Sequence, residues 1–204
     1  MEGGRCAVPS AAVAKLMVKF ASTWAAFHPA GPPIAHLLRQ KESERCVRFH
    51  SLPFSKRYAT SKRENWIVLD RANKLASRIL GENSRCWLVL AQAENPDIAN
   101  DHEDDEEIGD YGLSFEFKHF SPEDECVYRI FAKSTIWSAG SFNNLIARRA
   151  NDTLHLAAMW VSADSGAVFA PYDGGNDLFL PTPNDVVDLK NEFSDWLSAH
   201  PEGL

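Results

Sequence analysis

The chain has 204 residues, of which 45% are hydrophobic and 24% charged, with six Trp and twelve Phe. This is enough apolar material for one well-buried domain and too much for a globally disordered chain. The formal net charge of −7 argues against sequence-independent phosphate binding, which needs clustered Lys and Arg, so no nucleic-acid partner is expected.

In chain order, Ser10 caps a first helix, and Val13, Leu16, Met17, Phe20, Trp24 and Phe27 then recur on one face at helical spacing. Core is the favoured reading of this stripe over a partner-binding face. Lys15 and Lys19 interrupt the only apolar candidate for a secretory segment, so a cytoplasmic location and no membrane partner are expected. Pro29, Gly31, Pro32 and Pro33 stop the helix, and 10–45 reads as an N-terminal helical extension of a single domain spanning 1–204.

A strand is expected at 46–52, where Val47 and Phe49 alternate with Arg48 and His50. Ser61 with Glu64 forms a capping box for a helix that buries Val68, Ala72, Leu75, Ala76 and Ile79 and stops at Gly81. The apolar run 86–91 reads as a central strand. The earlier strand, this helix and this run suggest a local β-α-β unit.

Between Glu94 and Asp110 stand nine acids and no Lys or Arg; without them the chain carries 19 acids against 21 bases. Segment 94–110 therefore reads as a flexible acidic insertion. Asp101, Glu103, Asp104, Asp105, Glu106 and Glu107 are its candidate interaction residues, suited to a basic protein partner.

Leu113, Phe115 and Phe117 alternate with Ser114, Glu116 and Lys118, and a second run at 126–137 completes a hairpin with one dry face. A short helix is expected over 141–150, with Phe142, Leu145 and Ile146 inward. Region 154–198 reads as a meander plus helix, with strands near 154–162, 167–172 and 177–180 and turns at 164–166 and 173–176. Thr182, Pro183 and Asp185 cap the last helix, whose stripe Val186, Leu189, Phe193 and Trp196 should lie on the sheet. Regular strand-helix alternation is missing. The expected fold class is therefore α+β, a single mainly antiparallel sheet of six or seven strands with helices packed on it.

The chemical signals are weak. Phosphate-loop, dinucleotide, nucleophile-elbow and zinc-protease motifs do not occur. Cysteines at 6, 46, 86 and 126 are evenly spaced, but their flanks diverge and no C-x-x-C occurs, so buried thiols are expected in place of a zinc site. Tyr172, Asp173, Asn176 and Asp177 make the candidate turn site. Asp173, Asn176 and Asp177 could hold a divalent cation, although Asp and Asn more often bond turn backbone. His102 with Asp101 and Asp105 is a looser cluster, and Arg148-Arg149 reads as a surface pair. No catalytic residue, metal or cofactor is assigned. A non-catalytic binding or regulatory module is expected, with a metal-assisted hydrolase using Asp173 and Asp177 as the alternative.

The segment Ala167-Val168-Phe169-Ala170-Pro171-Tyr172-Asp173-Gly174-Gly175-Asn176-Asp177-Leu178-Phe179, with Phe193-Ser194-Asp195-Trp196-Leu197, resembles a bacterial family known as a domain of unknown function, the one numbered 3885. Arg48-Phe49, Arg71-Ala72 and Leu88-Val89-Leu90 follow the order of the family's first half. The resemblance covers 47–198 and is most specific in the C-terminal third. It implies a fold and a bacterial origin, and no reaction.

Overall fold

The computed structural model describes residues 19–94 and 108–197. Seven strands form one sheet: β1 (Cys46–His50), β2 (Arg85–Glu94), β3 (Ser114–Ser121), β4 (Cys126–Ile136), β5 (Ala157–Ser162), β6 (Val168–Tyr172) and β7 (Gly175–Phe179). Their order is β1-β7-β6-β5-β2-β4-β3, and every neighbouring pair is antiparallel. Among the described residues five longer α-helices accompany the sheet: α1 (Phe20–Phe27), α2 (Ala35–Lys41), α3 (Lys62–Leu80), α4 (Asn143–Ala150) and α5 (Pro183–Glu192). The architecture is α+β, as the sequence suggests.

The strands β1 and β2 run parallel, with α3 between them in sequence, but β7, β6 and β5 lie between them in the sheet. The expected β-α-β unit is therefore split, and the C-terminal meander fills its centre.

Both sheet faces are covered. Trp160, Phe169, Leu178 and Leu88 belong to one core with Leu75 of α3, Leu145 of α4 and Val186 of α5. Val89, Met159, Val161 and Phe179 belong to a second core with Phe20 and Trp24 of α1 and Leu37 and Leu38 of α2. Strands buried on both faces lose their polar alternation. Thus β4 buries Ile130, Phe131 and Ala132 in succession, and the expected single dry face of its hairpin is corrected.

The partner strand departs from the sequence pattern for a different reason. A bulge at Glu116 interrupts the β3–β4 register. Phe115 opposite Phe131 and Phe117 opposite Ile130 consequently fall on opposite faces. Simple alternation had placed them together; one extra residue reverses it.

Helix α1 buries Phe20 and Trp24. Val13, Leu16, Met17 and the cap Ser10 lie outside the described residues. At its end His28 hydrogen-bonds Glu42 Oε2 (2.9 Å) and the Gly166 carbonyl (2.7 Å). Phe27 packs so closely on the β5–β6 turn that a Cβ at Gly166, where φ is +73°, would stand 2.3 Å from its ring.

Helix α2 falls within the 10–45 segment expected to be helical, beyond the prolines that end the first helix, and Ile34, Leu37 and Leu38 share one buried apolar stripe. Ser61 accepts from Glu64 N–H as expected, at 3.2 Å. The Glu64 carboxylate returns to the Thr60 N–H at 2.7 Å, one residue before the cap. The last helix has the full Thr182–Asp185 box but ends at Glu192, with Ser194–Trp196 in a 3-10 turn. Trp196 is half-buried beside Phe193 and under the Arg71 guanidinium, packed against the core on the α3 side of the sheet. No helix among the described residues is long and apolar enough to cross a membrane.

Candidate functional site

Tyr172 pairs with Gly175, leaving Asp173-Gly174 as a two-residue hairpin loop. The strand β7 thus begins two residues earlier than expected, and Asn176 lies in it instead of in the turn. Positive φ is needed only at Gly174, at +100°. Gly175 is required for space: a Cβ there would lie 2.3 Å from Tyr172 Oη and 2.7 Å from the Phe49 carbonyl. The expectation that both glycines supply left-handed backbone holds for one of them.

The four sequence-selected residues are divided among three environments. Asp173 accepts from Arg57 Nε (2.6 Å) and Tyr58 Oη (3.0 Å), which ties the hairpin tip to the loop before α3. Asn176 is buried opposite Phe49 on the α3 side of the sheet, and its Nδ2 has no partner among the described residues. Tyr172 and Asp177 are on the α2 side.

Asp177, only 3% exposed, is the centre of an ionic knot. Arg48 donates from Nε to Oδ1 (2.7 Å) and from Nη2 to Oδ2 (3.1 Å), a bidentate pairing. Arg39 of α2 adds Nη1 to Oδ2 at 3.0 Å. Burial pushes the Asp177 carboxyl upward and the Arg48 charge opposes this. The Arg48 guanidinium lies 4.4 Å from the Tyr172 ring centroid, a cation–π contact, and burial pushes that phenol up. Sequence reasoning put Asp177 at the strand start flanking the turn and assigned neither arginine to it.

The knot forms one wall of an opening in the sheet. The β5–β6 ladder contains only Trp160–Phe169 and Val161–Val168. On the outer sides, β5 stays paired with β2 as far as Ala157, and β6 with β7 as far as Tyr172. Beyond Trp160 the two strands therefore part. Pro171, which has no N–H to donate, occupies this local edge, where such a residue is tolerated. The resulting cavity is about 210 Å³. Arg39 and Arg48 reach it from the α2 side and Arg149 of α4 from the other, while Ala35, Ala158, Met159 and Pro171 supply apolar wall.

Arg149 is half-buried and lines this opening, which corrects its reading as part of a surface pair. Its Nη1 donates to the Leu154 carbonyl at 2.8 Å, and it forms no ion pair among the described residues. Asp152 and Asp173 act on it only at longer range, and burial lowers its pKa below the usual guanidinium value.

A larger cavity of about 430 Å³ lies between the 29–33 loop and the β3–β4 turn. Its rim charges Lys41 and Glu123 are already paired at 3.4 Å, and prolines form much of its wall. The smaller cavity has the more distinctive chemistry. No group of three or more His, Cys, Asp or Glu among the described residues is arranged to hold a metal ion. Guanidinium groups already engage both Asp173 and Asp177, and their charge would repel a cation. Burial holds the Cys46 thiol well above its usual range and pushes Cys86 up to about 12, which disfavours thiolate chemistry at either. Cys6, His102 and the acidic candidates Asp101, Glu103, Asp104, Asp105, Glu106 and Glu107 lie outside the described residues.

Residues 34–201 match the family described as Domain of unknown function (DUF3885), and the chain belongs to that family. The match takes in α2 and β1 and extends well beyond the C-terminal third, where the resemblance is most specific. No curated protein and no solved structure matches the chain.

Proposed function

We propose that the protein is a non-catalytic binding module and that the β5–β6 opening is its ligand site. The carrying observation is the combination of an opened sheet with a carboxylate already held by two arginines. Such a constellation is charged and already engaged: among the described residues Asp177 is held by guanidinium groups and hydrogen-bonds no Ser, Cys or His that it could activate. Binding energy can fix a ligand there without assisting a bond to break.

The alternative, a metal-assisted hydrolase using Asp173 and Asp177, requires both carboxylates to abandon guanidinium partners for a cation. It would also have to bring together a hairpin-tip side chain and one buried against α2. The geometry favours binding over this reading.

A thermal-shift screen of small neutral and charged metabolites against the full chain tests the proposal, with Ala157→Leu as the pocket-filling variant. At least one compound should raise the melting temperature of the wild type, lose its effect in Ala157→Leu and be recovered chemically unchanged. Stabilisation by Mg²⁺, Ca²⁺ or Mn²⁺ that disappears in Asp173→Asn, or conversion of the bound compound, would instead support the hydrolase.

A further inference from the structure

We infer that the β5–β6 opening is a receptor for a small aliphatic monocarboxylate, with Arg149 as its counter-ion. This rests on the binding reading above and specifies the ligand.

The three cations of the opening are not equivalent. Arg48 and Arg39 are committed to Asp177 through three hydrogen bonds. Arg149 is committed only to a backbone carbonyl and has no carboxylate within ion-pair distance among the described residues. A partly desolvated cation without an anion is costly, and an entering anion would recover that cost. Three guanidinium charges face the single Asp177 carboxylate, so the opening is formally cationic, and Arg149 is the one guanidinium with no carboxylate of its own and the group an entering carboxylate would meet.

Geometry then separates the classes of anion. A guanidinium fork pairs with a planar carboxylate through two parallel hydrogen bonds. A phosphate carries up to two charges and three acceptor oxygens, and binds best where several donors converge. Here two of the three guanidinium groups are already directed at Asp177. The rest of the wall is largely apolar, with Ala35, Ala157, Ala158, Met159 and Pro171 beside His36 and Tyr172. It suits a short hydrocarbon body better than further polar oxygens. At about 210 Å³ the cavity is below the roughly 300–1,000 Å³ typical of drug-sized ligands, so the acid must be small.

The route is also asymmetric. Arg149 belongs to α4 on one face, whereas His36 and Arg39 approach from α2 on the other. His36, which also lines the opening, is hydrogen-bonded through Nε2 to Asp124 at 2.9 Å. An acid entering from the α2 side would lead with its carboxylate toward Arg149 and leave its hydrocarbon end between β5 and β6.

Butyrate, inorganic phosphate and chloride, compared at equal ionic strength, provide the test on the full chain. Butyrate should give a saturable rise in melting temperature at millimolar concentration, and phosphate should do no more than chloride. Arg149→Met, which keeps the aliphatic stem, should weaken butyrate binding by at least tenfold in calorimetry, and Arg149→Lys should lose less. Ala157→Leu, which leaves Arg149 in place, should abolish the butyrate effect and decides the matter should Arg149→Met fail to fold. A phosphate effect exceeding that of butyrate, a butyrate effect unchanged in either pocket variant, or no butyrate effect would overturn the inference. A neutral compound that stabilises the wild type but not Ala157→Leu would overturn the carboxylate assignment while leaving the binding module standing. Failure of every compound would remove both.

Discussion

Asp177 shows how far a single residue can be read before its neighbours are known. Its place after a glycine hairpin marked it in the sequence, but its partners Arg48 and Arg39 are 129 and 138 residues away. No local spacing could connect them, so a turn-capping role or a cation site were the available readings. In the structure its buried charge is matched by two guanidinium groups, and removing it leaves them facing each other without compensation. Asp177→Ala should therefore cost about 3–5 kcal/mol in chemical denaturation, the usual penalty for breaking a buried ion pair by removing one partner. Adding Arg48→Met in the Asp177→Ala background should recover part of the loss, because it removes one of the stranded charges. A cost under about 1 kcal/mol for Asp177→Ala would mean the knot is too well hydrated to hold β1, β7 and α2 together. Arg149 was hidden for a different reason: beside Arg148 on a short helix, nothing in its sequence context signals that one of the pair turns toward an opening in the sheet.

Helix ends were the most legible elements, because their chemistry is local. Ser61, Thr182 and Gly81 all act where the sequence places them. The β3 bulge was not legible, since one extra residue in a strand has no compositional mark and only the partner's register reveals it. Short α2 has too little periodic length to stand out as a separate helix within the 10–45 segment. The start of α3 gives a pH-dependent prediction. Glu64 has its pKa lowered to about 2 by hydrogen bonds from Lys56 and the Thr60 backbone. A carboxylate whose pKa is depressed on folding adds stability above its unfolded value, and that contribution fades as the pH falls through its folded value. Wild-type stability should therefore decline between about pH 4.5 and pH 2 partly through this group. Glu64→Gln should be less stable than wild type at neutral pH, with the difference shrinking toward pH 2. Melting curves across that range check it; a difference that stays constant would show that the carboxylate charge is not involved.

At the scale of the whole molecule, the class and the meander could be read in advance, but the order of strands could not. The run 86–91 announces a central strand and 154–162 a strand of the meander, whereas the position of the meander between β1 and β2 is a long-range fact. That position matters for the opening, because β5 and β6 lie centrally in the sheet and part only at one end. On one edge β5 is paired with β2 along its length from Ala157 to Ser162, while on the other its ladder stops at Trp160. Amides in closed ladders exchange through larger opening reactions than those without a strand partner. In hydrogen exchange resolved by NMR, the β5 amides directed toward β2 should therefore be the slower set. Amides of Ala157–Met159 directed toward β6 should exchange at least about tenfold faster, the factor that corresponds to about 1.4 kcal/mol. At Trp160 and Val161 the contrast should vanish, because both edges are paired there. Equal protection along both edges of 157–159 would mean that β5 and β6 close in solution, and the cavity between them would then have no standing as a binding site.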